Sequence, residues 1–113
     1  MRIERGYLYI DAHEWASSIR QAGFPCTFYD DSGTPLAEFE TSKYAKRIAI
    51  PEGARWLVRR YRTNSGALWI WVYSIPDLKC VANCDAHNQS ELEQLPEWLK
   101  QRIVDELYEE VRS

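Results

Sequence analysis

ARWLVRRYRTNSGALWIWVYSI, residues 54–75, reads as two β-forming runs meeting at Thr63-Asn64-Ser65-Gly66, which is the signature of a hairpin. Trp56, Trp69 and Trp71, three of the five Trp residues, lie here with Tyr61, Tyr73 and four Arg (Arg55, Arg59, Arg60, Arg62). One hairpin therefore supplies both core and cationic surface. From Leu68 to Ile75 both alternating sets are apolar, the pattern of a strand covered on both faces. This predicts that it lies in the middle of a sheet. In the preceding strand the two-residue period sends Arg59 and Arg60 to opposite faces.

Working outward, Gly6 to Ile10 alternates as a first strand, and Asp11-x-x-Glu14 resembles a capping box. Trp15, Ala16, Ile19 and Ala22 follow at helical spacing, with Gly23 and Pro25 as stop signals, so a helix is predicted over Ala12 to Ala22. Cys26 to Asp30 and Pro35 to Thr41 flank Asp31-Ser32-Gly33 as a second hairpin. Arg47 to Ile50 is a short strand that turns at Pro51-Glu52-Gly53 into the Arg-rich strand. Asp77 to Gln89 reads as polar and irregular, and Ser90-x-x-Glu93 as a cap for a last turn. Pro96 fits only a first helical turn, which predicts a C-terminal helix from about Leu95 to Val111 with Leu99, Ile103, Leu107 and Val111 as its buried stripe. The expectation is a single α+β domain over residues 1–113. It has a mainly antiparallel five- to six-stranded sheet, an N-terminal helix and a longer C-terminal helix packed on it.

At 113 residues with 45% hydrophobic and 13% aromatic content, the chain is long enough to fold around its own core without disulfides. The opening MRIERGYLYIDAHEW lacks the apolar core of a secretory signal. The longest apolar run, Ala67 to Tyr73, is far short of a membrane span. Three Cys, an odd number, predict reduced thiols in a cytoplasmic protein. Net charge is −3, but the charges are polarised. Lys43 to Arg62 holds seven basic residues against Glu52 alone, while Asp77 to Ser113 holds nine acidic against four basic.

Three sets of residues are candidates for function. Cys80, Cys84 and His87, with Cys26 or His13 as a distant fourth ligand, lack the tight first pair or matching second pair of a zinc site. No metal and no cofactor is predicted. Arg55, Arg59, Arg60, Tyr61 and Arg62, with Lys43, Lys46 and Arg47 beside them, combine cations and a ring as single-stranded DNA or RNA requires. The acidic C-terminal helix on the same small domain also offers this patch internal neutralisation. The third candidate is the acidic C-terminal segment, with Glu91, Glu93 and Glu106 and the helix residues Glu97, Asp105, Glu109 and Glu110, which lie mostly off the apolar stripe; it can steer the molecule towards a cationic partner. No phosphate loop, nucleophile motif or carboxylate pair with a nearby His is present.

These features predict a small acidic, non-enzymatic binding protein that acts through protein–protein contact, its partner being a cationic or nucleic-acid-acting protein. A phage-type inhibitor of a host defence enzyme and an immunity protein neutralising a toxin both have this character. The alternative is a single-stranded nucleic-acid module using residues 55–62.

Overall fold

The structure, a computed structural model, describes residues 1–11, 25–40, 44–62 and 66–112, without the side chains of 110–112. Among them are β1 (Arg2–Glu4), β2 (Tyr7–Ile10), β3 (Pro25–Tyr29), β4 (Pro35–Glu40), β5 (Lys46–Ala49), β6 (Trp56–Arg62), β7 (Leu68–Ser74) and β8 (Cys80–Cys84). A short 3₁₀ helix (Ser90–Gln94) and one α-helix, α1 (Glu97–Arg112), complete the order. The α+β class is as expected. The helix predicted over Ala12 to Ala22, with His13, lies outside the described residues, as do Lys43 and the side chains of Glu110 and Val111.

The single sheet of the expectation is corrected to two antiparallel sheets, β1-β2-β5 and β4-β3-β6-β7-β8. The reason is hydrogen-bond accounting. β6 already exchanges bonds with β3 on one side and β7 on the other, so β5 finds no edge there and pairs with β2, Leu8 opposite Ile48. The chain then turns at Pro51, where Ala54 N–H donates to Pro51 O at 3.2 Å, and enters the larger sheet.

Strand alternation sends the two faces of the larger sheet to different partners. Phe28, Leu57 and Tyr61 meet Leu8 and Ile10 of the small sheet. Val58, Ile70, Val72, Ala82 and Cys84 meet Leu99, Ile103 and Leu107 of α1. The order of layers is small sheet, large sheet, helix. The predicted stripe of α1 is buried at all three of its described positions, each such side chain contributing roughly 1.5–3 kcal/mol of hydrophobic stabilisation.

Three further expectations change. Asp77 to Gln89 contains β8, which hydrogen-bonds to β7 with Ala82 opposite Val72. Its pairing comes from an apolar neighbour rather than from its own weak pattern. β7 is therefore interior, but the centre of the sheet is β6, and Trp69 and Trp71 are only half-buried because the small sheet does not fully cover that side of β7. Ser90 does not cap the 3₁₀ helix; its hydroxyl bonds to Asn88 Oδ1 at 3.2 Å.

The turn between β3 and β4 ties the sheet to the start of α1. Asp30 Oδ1 accepts from Thr34 N–H at 2.8 Å and from the N–H and hydroxyl of Ser32 at 3.0 and 2.9 Å. The Thr34 amide, with Ser32, holds this carboxyl below the usual range, so Asp30 is not the ordinary solvated acid that its place in a turn predicts. Gly33 has φ +93° and a Cβ there would lie 3.0 Å from the Trp98 ring. Trp98 Nε1 closes the clamp by donating to Asp31 O at 3.1 Å.

Candidate functional site: the acidic helix and the groove beside it

The Arg-rich strand does not form one surface. Arg60 points towards α1 and is 8% exposed. Its Nε and Nη2 donate to both carboxylate oxygens of Glu106 at 2.8 and 2.7 Å. Nη1 reaches Pro25 O at 3.2 Å and Thr27 Oγ1 at 3.1 Å, and Nη2 also reaches Tyr29 Oη at 3.5 Å. The five N–H donors of a guanidinium are thus all used. The Glu106 carboxylate outweighs burial and keeps this guanidinium firmly protonated.

Arg59, on the opposite face, is 7% exposed, with its guanidinium 6.0 Å from the centre of the Trp71 ring. Tyr61 is also buried, and its hydroxyl accepts from Trp71 Nε1 at 2.9 Å. Arg62 Nη1 donates to Gly66 O at 2.8 Å. Arg55 alone stands out in solvent, 3.5 Å from Asp31, a surface pair of little energetic weight. The five residues are divided among two faces and a turn.

The acidic helix is different. Glu97, Asp105 and Glu109 are exposed on one side of α1, and Tyr108 beside them is 62% exposed. Because α1 covers only part of the large sheet, a groove of ≈ 820 Å³ remains between it and β3 and β4. Pro25, Pro35, Tyr29 and Leu68 give this groove apolar and aromatic surface. Arg60 and Glu106 offset one another there, so the walls carry the carboxylates of Glu38, Asp105 and Glu109 against the guanidinium of Arg102. Arg102 lies over the Tyr29 ring at 5.0 Å and near Trp98 at 5.8 Å.

Comparison with family models, curated proteins and solved structures finds no match to this chain. Its function is read from its residues.

The three cysteines lie in different surroundings. All three are free; Cys26 and Cys84 are buried and Cys80 is exposed. Among the described residues no group of three His, Cys, Asp or Glu side chains is close enough to hold a metal ion. His87 lies in a turn where its N–H donates to Asp85 Oδ1 at 2.9 Å. Burial pushes the Cys26 thiol up to about 11 and, with Asp85 and Glu91 nearby, the Cys84 thiol up to about 12.

Two outcomes follow. A thiol reagent is expected to modify Cys80 in the native protein and Cys26 and Cys84 only on unfolding. In the unfolded chain these thiols ionise near pH 8.5. Between there and pH 11–12 the unfolded state binds fewer protons than the folded one, so stability present below pH 8.5 is lost as pH rises. Melting temperature measured across that window is expected to fall, and less steeply in Cys84→Ala.

Sequence reasoning found the acidic side of α1 but not the groove. Tyr29, Glu38 and Arg102 are distant in sequence and lack a shared motif. Only the exposure of Tyr108, off the apolar stripe, was readable as a sign of contact on this side.

Proposed function

We propose that this protein is a non-enzymatic binding protein that acts through protein–protein contact, its acidic helix side and the adjoining groove receiving a cationic segment of the partner. The observation that carries the reading is the placement of Glu38, Asp105 and Glu109 around a groove with apolar and aromatic lining. Carboxylates there steer a basic chain, while Pro35 and Leu68 accept the apolar part of a Lys or Arg side chain. Exposed Tyr108 supplies an aromatic anchor of the kind that dominates interface energies. A phage-type inhibitor of a host defence enzyme, or an immunity protein against a cationic toxin, would use such a face.

The non-enzymatic reading draws support from how the reactive groups are used. Cys26 and Cys84 are buried with raised pKa, Glu106 is committed to Arg60 and Asp30 to its own turn. The three free thiols accord with a cytoplasmic setting. Among the described residues no helix is long and apolar enough to cross a membrane. The alternative, nucleic-acid binding through residues 55–62, gains no support from the burial of Arg59, Arg60 and Tyr61.

The test is reversal of Glu97, Asp105 and Glu109 to Lys together, three exposed positions off the buried stripe. Melting temperature should be preserved, while association with the partner that co-purifies with the wild type should slow by about ten-fold or more at low salt. The difference should shrink near 1 M salt, where the Debye length is about 3 Å. Equal association rates for both proteins at low salt would refute the reading.

A further inference from the structure

The face of the small sheet turned away from the core carries a different surface. Leu8 and Ile10 point inward and are 0% and 1% exposed, so Tyr7 and Tyr9 point outward by alternation. The register puts Arg2, Tyr9 and Arg47 in one row across β1, β2 and β5, and Glu4, Tyr7 and Ala49 in the next. The Arg2 guanidinium lies 4.6 Å from the centre of the Tyr9 ring, and that of Arg47 4.7 Å from Tyr7. The two rings are 6.4 Å apart. Arg2 and Arg47 are exposed, as is Arg5 in the turn joining β1 and β2.

We infer that this face binds single-stranded nucleic acid, with Tyr7 and Tyr9 stacking on bases and Arg2, Arg5 and Arg47 holding the backbone. Three features favour this occupant. Two aromatic side chains side by side on the outward side of an antiparallel sheet provide a sequence-tolerant stacking platform. The cations Arg2, Arg5 and Arg47 outnumber Glu4, which bonds Arg2 Nε at 3.0 Å, and Asp11 at the end of β2. Finally, Ala49 is the one aliphatic residue in the two outward rows, so the face lacks the apolar centre of a protein interface. The acidic side of α1 does not cancel this patch. The large sheet lies between them, and layers spaced about 10 Å apart put the two beyond the Debye length of about 8 Å at physiological salt.

The inference is independent of the protein-binding face and has its own test. A fluorescein-labelled oligothymidylate of about 16 nucleotides, the larger site size for such surfaces, is titrated with the protein while anisotropy is read. Binding is expected to weaken steeply between about 0.05 and 0.2 M salt. Tyr9→Val, which keeps a strand-favouring residue, should lower affinity at least about five-fold. Arg47→Gln should reduce the magnitude of the log–log salt slope by about 0.7. The Glu97, Asp105, Glu109→Lys variant should still bind the oligonucleotide. Absence of binding at the lowest salt overturns the inference, as does unchanged affinity in both Tyr9→Val and Arg47→Gln while circular dichroism shows them folded. Equal competition by an oligo-glutamate peptide would also overturn it, by assigning the face to an acidic protein.

Discussion

Arg60→Ala is expected to lower the free energy of unfolding by about 3 kcal/mol, enough to make the protein visibly less stable in urea. The change removes the guanidinium that joins β6 to α1 and leaves Glu106, Thr27 Oγ1, Tyr29 Oη and the Pro25 carbonyl without their shared donor. The lower end of the range for a broken buried pair applies because the Glu106 side chain is 31% exposed, against 9% for Arg60, and can turn towards water. Arg60→Met with Glu106→Leu should lie much closer to the wild type, since it removes both charges together and keeps their volume. A double-mutant cycle in urea separates the cases. A loss below about 1 kcal/mol for Arg60→Ala would show that the pair behaves as a surface contact. Because Arg60 has this structural duty, loss of partner binding in Arg60→Ala would report unfolding before it reported an interface.

Phe28→Ala should cost about 3–5 kcal/mol, the range for an aromatic ring removed from a closed core. Phe28 is 0% exposed and its ring lies 5.9 Å from that of Phe39, on the side of the large sheet that receives Leu8 and Ile10. If the small sheet is docked through this core, hydrogen-exchange protection should fall at Leu8 and Ile48 as well as within β3. Loss of protection confined to β3 and β4 would mean that the small sheet is held by other contacts.

How much of this was legible in the chain differs from element to element. The six strands expected from alternation are present, because each is either paired in a hairpin or bounded by Gly, Pro or Asp. α1 was announced by Pro96 and by Leu99, Ile103 and Leu107, whose spacing demands one buried side. β8 was not legible: CVANC has little strand propensity, and it is a strand because β7 offers it a row of unpaired backbone groups. Arg2–Glu4 was overlooked for the same reason, being made a strand by pairing with β2.

The candidate sites divide likewise. The separation of acidic and basic segments is a property of the sequence, and so is the placement of Glu97, Asp105 and Glu109 off the apolar stripe of α1. Alternation alone also sends Arg59 and Arg60 to opposite faces. Which of those faces was open to solvent required knowing what lay over each, and that depends on pairings between distant residues. Arg60 and Glu106 meet across the helix–sheet interface, Arg102 meets Tyr29, and Arg2 meets Tyr9 and Arg47 in one row. Local periodicity determined the elements and the charge pattern by itself, because each is set by neighbours a few residues apart. The division into two sheets, the burial of the Arg-rich strand, the groove and the outward Arg–Tyr face were decided only by the tertiary structure. They depend on which backbone edges remain unpaired after the local hairpins have formed, and on which side chains cover the faces that result.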